Sequence, residues 1–341
     1  MKILVVKRDK IGDLLLTTPF FAHLARALPG ARIHVLANDY NAWVVAGNPD
    51  VERVWVYRRT RHAGVVRPAA AIAQVRQFFA LRRERFDVAI AAGGEESPRA
   101  IQRALAVHAA RTIAYAATPR SYGARLTDPL PAPAAGHEVE RIFGLGAPVG
   151  VALPPAVPLP RFAPPQPWLA AARAWLARAG VAPGAYAVLG LSARDAAKVP
   201  AAEQVLRWAA RLRRDFGLAT LLQFTPGDAA NALYPGSAAL AQSILAAAPG
   251  AVHAMPDGLP MAIGLINLAR ASILPDSGLM HFAAASPGGV AGLFADPGTL
   301  ASPARWGPRG VRAVAIEAPR AIADLSDDTV FAALAPLFAP G

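Results

Sequence analysis

The chain has 341 residues, more than one hydrophobic core usually organises and enough for two domains. It contains no cysteine, which excludes disulfide scaffolds, thiolate zinc sites, iron–sulfur clusters and cysteine nucleophiles. With 35 Lys and Arg against 23 Asp and Glu, the formal net charge of +12 calls for an anionic partner: nucleic acid, an anionic membrane surface or a phosphorylated substrate.

Taken in chain order, apolar runs and helical spacings alternate. Ile3-Leu4-Val5-Val6 between lysines reads as a buried strand, too short for the apolar region of a signal peptide. Leu14–Leu28 reads as a helix in which Pro19 is tolerable only near the first turn. Ile33–Leu36, Val51–Tyr57, Val88–Ala91 and Thr112–Tyr115 are further strands, with Pro98–His108 a helix between the last two. Ala69–Arg83 carries Ile72, Val75, Phe78 and Phe79 at helical spacing, which predicts a core-facing stripe with Arg76, Arg82 and Arg83 elsewhere on the surface.

Seven prolines between Pro154 and Pro167 then form a stiff connector. Beyond it come helix Trp168–Ala179, strand Tyr186–Leu189, helix Ala201–Asp215 and strand Thr220–Phe224. Strand Ser272–Leu274, helix Leu279–Ala285, strand Val290–Phe294 and a helix near Asp327–Leu337 complete the pattern. Two stretches without Asp, Glu, Lys or Arg, 229–256 and 277–295, are broken by Pro-Gly pairs and read as parts of a soluble fold rather than membrane spans. The expected class is α/β: an N-terminal Rossmann-like domain over 1–150, a Pro-rich linker over 151–168 and a second Rossmann-like domain over 169–325. A C-terminal helix over 326–341 could pack back on the first domain. Strand–helix alternation implies parallel sheets, and ligands then bind at the carboxyl ends of the strands, in a cleft between the two domains.

No G-x-G-x-x-G fingerprint follows the first strand and no Walker sequence occurs, so dinucleotide and P-loop readings lose their main support. The loop Lys7-Arg8-Asp9-Lys10-Ile11-Gly12-Asp13 offers a glycine for close backbone approach and a carboxylate at a helix start. From spacing alone, Asp13 either caps that helix or acts in catalysis. In the second half, Ser192–Pro200 lies between a strand and a helix, where backbone N–H groups can face an anion. Lys198 in that loop is the only lysine of the second half. There is no D-x-D metal signature, and the seven histidines show no paired ligand spacing. Met255 and Met261 read as core filling.

The opening Ile3–Val6, Ile11-Gly12-Asp13-Leu14-Leu15-Leu16-Thr17-Thr18-Pro19 and Ala31-Arg32-Ile33 resembles that of the family 9 glycosyltransferases, the lipopolysaccharide heptosyltransferases and their relatives. Asp276-Ser277-Gly278-Leu279-Met280-His281-Phe282-Ala283-Ala284-Ala285 resembles that family's D-[ST]-G-x-x-H-x-x-A-A motif, followed by Ala304-Arg305-Trp306-Gly307-Pro308. The resemblance implies a GT-B fold, with acceptor held mainly by the first domain and nucleotide-sugar donor mainly by the second. It implies Asp13 as general base of an inverting, metal-independent transfer. Lys198, with Ser192, Ser277 and Gly278, would meet the donor's diphosphate. Asp276 and His281 would meet the donor sugar, and Asp228 stands near a ribose-binding glutamate of relatives. Val199 departs from the tryptophan that relatives often carry there.

The implied co-substrate is ADP-heptose, with no cofactor, and the implied acceptor is an anionic glycolipid at the cytoplasmic face of a bacterial inner membrane. Lys7, Lys10, Gly12, Arg58, Arg59 and Arg61 are the acceptor-side candidates. Residues 53–125 hold 14 arginines against Glu84, Asp87, Glu95 and Glu96, an electropositive wall suited to that acceptor and to peripheral contact with an anionic membrane. A family member with another donor or acceptor, a sugar-nucleotide 2-epimerase of the same architecture, and a non-catalytic nucleotide-sugar-binding relative are the alternatives. A nucleic-acid reading rests on charge alone, without a recognition module.

Overall fold

Ile3, Leu4, Val5 and Val6 are fully buried, so their backbone groups need partners on both sides, which a central parallel strand supplies. They form β1 (Lys2–Val6), paired in parallel with a strand on each side. The computed structural model describes residues 1–58, 61–62, 65–66, 68–193, 195–227, 236–295 and 302–338, with backbone alone over 61–71. The chain divides into two units, Met1–Arg161 and Phe162–Gly341, the boundary falling inside the proline-rich run.

In the first unit β1 is followed by α1 (Ile11–Leu15), α2 (Thr18–Ala27), β2 (Arg32–Asn38) and β3 (Arg53–Tyr57). Next come a short antiparallel pair, β4 (Arg61–His62) and β5 (Val65–Val66), then α3 (Pro68–Arg83), β6 (Val88–Ala91) and α4 (Pro98–Ala106). β7 (Arg111–Tyr115), β8 (Asp128–Leu130) and α5 (Glu138–Phe143) close the unit. The single helix expected over Leu14–Leu28 is two, interrupted at Leu16–Thr17. Pro19 has no N–H to continue a helix and suits a first turn, so a new helix begins just before it. The hydroxyls of Thr17 and Thr18 donate to the carbonyls of Asp13 and Leu15, occupying two of the carbonyls the break leaves over.

The second unit runs α6 (Gln166–Arg178), β9 (Tyr186–Gly190), α7 (Ala202–Phe216), β10 (Ala219–Gln223), α8 (Ala238–Ala247), β11 (Val252–Ala254) and α9 (Leu259–Asn267). β12 (Ala271–Pro275), α10 (Gly278–Ala284), β13 (Val290–Phe294), α11 (Pro303–Trp306), β14 (Ala313–Glu317) and α12 (Asp327–Phe338) follow. The expected helix over Ala201–Asp215 and the strands over Tyr186–Leu189, Ser272–Leu274 and Val290–Phe294 match within a residue or two. The uncharged stretch over 229–256 contributes α8 and β11, and no helix among the described residues is long and apolar enough to cross a membrane.

Each unit holds a six-stranded parallel sheet, β3-β2-β1-β6-β7-β8 and β11-β10-β9-β12-β13-β14. Counted within each unit, both orders are 3-2-1-4-5-6, so the chain reverses direction across the sheet between β1 and β6 and again between β9 and β12.

The terminal helix, which the sequence allowed to return to the first domain, spends its apolar face within the second unit. Val330, Phe331, Leu334 and Leu337 are buried in one cluster with Trp208, Leu212, Leu293 and Ile316. Asp327 at its start accepts from Arg207 and from the indole of Trp208, tying α12 to α7. Leu334→Ala should therefore destabilise the second unit by about 2–5 kcal/mol, read as a lowered midpoint in urea unfolding.

Candidate active site

In an open parallel sheet the loops leaving the two strands at the reversal point run to opposite faces, and a crevice opens at their carboxyl ends. In the first unit that place is bounded by the residues after β1 and after β6. The chain leaving β1 contains Lys7, Asp9, Lys10, Gly12 and Asp13, and the chain leaving β6 contains Gly94.

Lys7, expected to face an acceptor, is instead buried at 1% exposure. Its ammonium lies 3.2 Å from Asp9 Oδ2 and 3.9 Å from Oε1 of Glu138, itself 3% exposed at the start of α5. Burial alone would lower the Lys7 pKa. The charges of Asp9, Asp13 and Glu138 outweigh it and hold the ammonium above the ordinary lysine value. Glu138 Oε1 also accepts from the Gly94 amide at 2.8 Å. A Cβ on Gly94 would lie 2.2 Å from Glu138 Oε2, so only glycine lets the chain after β6 come this close to α5.

Asp13 sits on the first turn of α1 and is half-buried. Its Oδ2 accepts from the Lys10 amide at 2.9 Å, which is the capping interaction the sequence allows. Among the described residues Oδ1 has no hydrogen-bond partner, so capping engages one oxygen and leaves the other. Burial raises the Asp13 pKa, Lys7 opposes it, and nearby Asp9 and Glu138 add to it; the net displacement is upward.

The backbone carrying this cluster is held by two buried asparagines that the sequence reading passed over. Asn38 donates to the Arg8 carbonyl at 2.7 Å and Asn41 to the Asp9 carbonyl at 2.9 Å. The two also bond each other, through Asn38 Oδ1 to the Asn41 amide and Asn41 Oδ1 to the Asn38 amide. Their signal was available: amide side chains at the carboxyl end of β2, the strand beside β1, belong to the same crevice edge. Arg58 lies exposed just beyond β3, two strands away, while Arg59 and the Arg61 side chain lie outside what the structure describes.

In the second unit the reversal point lies between β9 and β12, and the predicted residues meet there. Lys198 stands in a short turn (Ala196–Lys198) that the Asp195 carboxylate caps by accepting from the Ala197 amide. Its Nζ lies 2.6 Å from Asp276 Oδ2, just beyond β12, and both side chains are only 17% exposed. Lys198 is thus half-enclosed and paired rather than a free surface lysine. Ser192, two residues past β9, accepts from Gln223 at 3.1 Å and from the Thr225 hydroxyl at 2.8 Å, which links the ends of β9 and β10.

Ser277 is the N-cap of α10, with Gly278 beginning the helix, and both are half-buried. His281 is buried at 5% exposure on the same helix. Asp228 lies outside the described residues. Among the described residues no group of three or more His, Asp or Glu is placed to hold a metal ion.

A carboxyl whose native pKa is raised binds its proton more tightly when folded than when unfolded. Its ionisation therefore costs native stability above the native pKa, a cost absent below the ordinary carboxylate value of about 4. Asp13→Asn should raise the thermal midpoint at pH 7, with the gain shrinking to nothing as pH falls towards 4, as melting curves across that range would show.

No family model matches the chain, and no curated protein matches it in sequence. Solved structures do. The chain superposes with a TM-score of 0.80 and 17% identity on a glycosyl transferase family 9 protein from Veillonella parvula, over 99% of this chain and 97% of that one. On the E. coli heptosyltransferase WaaC solved with ADP, the TM-score is 0.74 at 20% identity, over 99% and 100%. E. coli ADP-heptose lipopolysaccharide heptosyltransferase II gives 0.74 at 20% identity, over 99% and 98%. Two units of strand order 3-2-1-4-5-6, each with one of the two motifs at its reversal point, give this chain the GT-B fold of the family 9 glycosyltransferases and heptosyltransferases.

Proposed function

We propose that the protein is an inverting glycosyltransferase that transfers heptose from ADP-heptose to a lipopolysaccharide-core-type glycolipid at the cytoplasmic face of a bacterial membrane. The observation that carries this reading is that each of the two family-like motifs lands at the reversal point of its own parallel sheet, where such folds bind ligands. The ADP of one similar heptosyltransferase structure, and the ADP-2-deoxy-2-fluoro heptose of another, support the choice of donor.

In this reading the acceptor hydroxyl gives its proton to Asp13 as its oxygen bonds to the anomeric carbon. The bond from that carbon to the diphosphate oxygen breaks, and ADP leaves. A carboxylate with a raised pKa is a stronger base, and a base so placed contributes about 10²–10⁴-fold in rate. The positive charge of Lys7 opposes the rise that burial imposes on the Asp13 pKa and so favours the ionised form that a base needs.

The departing diphosphate meets Lys198. An ammonium has three donors and Asp276 accepts one, so two remain for phosphate oxygens without a rearrangement of the lysine. Fixed side-chain charge takes the part that a metal ion plays in other transferases, and Asp276 presents its carboxylate to the donor sugar.

Incubation with ADP-heptose and a heptose-free core glycolipid should release ADP. Asp13→Ala should lower kcat by about 10²–10⁴-fold with ADP affinity unchanged. An activity within threefold of the unsubstituted enzyme would remove Asp13 as base, and absence of ADP release with any glycolipid would remove the transferase reading. The acidic limb of kcat/KM should fall above the ordinary carboxylate range, since activity is lost as Asp13 takes up its proton. Lys198→Gln should weaken ADP binding by about 10- to 100-fold in calorimetry, because a charged hydrogen bond is lost and Asp276 is left facing the diphosphate.

A further inference from the structure

Helix α3 departs from its expected orientation. Ile72, Val75, Phe78 and Phe79 were expected to form one core-facing stripe, with the arginines on the other side. In the structure, Phe78 and Leu81 pack into the core of the first unit, and Gln77 donates to the Val56 carbonyl of β3. Ile72, Val75 and Phe79 point outward, 56%, 56% and 58% exposed.

At about 100° per residue, Ile72, Val75, Arg76, Phe79, Arg82 and Arg83 fall within an arc of about 120°, and all six are exposed. Arg82 lies over the Phe79 ring, its guanidinium 5.8 Å from the centroid. Among the described residues neither Arg76 nor Arg83 makes an ion pair, and residues 68–83 contain no acid.

This composition restricts what can cover the face. Soluble helices ordinarily place mixed charge outward, and a bare apolar stripe of this kind signals a partner. A second copy packed symmetrically on the same face would bring both sets of arginines together. Nucleic acid would satisfy the arginines but not an isoleucine, a valine and a phenylalanine between them. An anionic lipid surface satisfies both, since apolar side chains enter the headgroup–acyl boundary while arginine stems lie along it with their guanidiniums at phosphate level.

We propose that the outward face of α3 docks on an anionic lipid bilayer, with Ile72, Val75 and Phe79 inserted and Arg76, Arg82 and Arg83 on lipid phosphates. This deepens the reading of a lipid-borne acceptor by naming the element that holds the enzyme at the membrane. It rests on that reading for its purpose only, because lipid binding is measured without sugar donor or acceptor.

The test is flotation of the full chain with vesicles of phosphatidylcholine containing phosphatidylglycerol, compared with pure phosphatidylcholine. The protein should float with the anionic vesicles and not with the neutral ones, less so as salt is raised. Arg76→Gln, Arg82→Gln and Arg83→Gln should each weaken partitioning by roughly fivefold. Combined Ile72→Ser, Val75→Ser and Phe79→Ser should weaken it at least about tenfold while circular dichroism and melting stay unchanged. Arg173→Gln, Arg178→Gln and Arg213→Gln together, a larger charge change on exposed arginines of the second unit, should leave it within twofold.

Failure of the unsubstituted protein to float, an apolar triple variant that floats like it, or equal loss in the second-unit control would each overturn the proposal. So would a dimer in sedimentation velocity that the apolar triple abolishes. None of these outcomes bears on ADP release in solution, so the transferase reading stands or falls separately.

Discussion

The reversal of strand order in each sheet is the constraint from which the rest follows. The inner strands of a parallel sheet covered on both faces have their backbone groups paired along both sides and leave them open at the strand ends. Where successive connections turn to opposite sides, those ends lie open. In the first unit this makes Lys7–Asp13 and Gly94 neighbours although more than eighty residues separate them. In the second it makes Lys198 and Asp276 neighbours across 78 residues. At the end of β9 a Cβ on Gly190 would meet Leu274 Cδ2 at 2.6 Å, so the Leu274 side chain occupies the space that the glycine leaves at the crevice edge.

The electrostatics of the two sites differ in a way that suits different tasks. Lys7 is enclosed among three carboxylates, an arrangement that desolvation makes costly and that hydrophobic residues could replace with equal stability. In the proposed transfer that charge has a use, because Lys7 opposes the upward displacement of the Asp13 pKa. The pair at Lys198 and Asp276 keeps some exposure, so its members can exchange partners. In the proposed transfer, the buried Lys7 tunes Asp13 and the half-exposed Lys198 binds the diphosphate.

Much of this was legible in the sequence because it lies on short apolar strands and on the loops that follow them. β1, β9, β12 and β13 read correctly as apolar runs bounded by charge or by Pro and Gly, and the motif residues stood beside them. Glu138 was not legible: it sits next to His137 in a loop-to-helix turn far along the chain, and only the close packing permitted by Gly94 brings it to Lys7. Asn38 and Asn41 act on backbone carbonyls, which leave no pattern in side-chain spacing. The break between α1 and α2 was half legible, since Pro19 was seen as a first-turn residue while the helix before it was not.

Arginine content misleads when counted without geometry. The +10 over residues 53–125 suggested a continuous electropositive wall, yet several of its members are engaged by the fold. Arg53 pairs with Glu84 and stacks 3.8 Å above Trp55, Arg111 pairs with Asp128, and Arg103 lies 3.8 Å over the Tyr57 ring. Such residues hold the edges of the sheet and add little to a long-range field. Of the described arginines without an ion pair, Arg58, Arg85, Arg99, Arg120 and Arg125 are exposed on other parts of the unit, and Arg76, Arg82 and Arg83 share the surface of α3 with apolar side chains. Periodicity could not separate the two faces of that helix, because Phe78 and Phe79 are adjacent in sequence and point about 100° apart. A helix with apolar residues on two faces has one partner within its own unit and room for a second outside it.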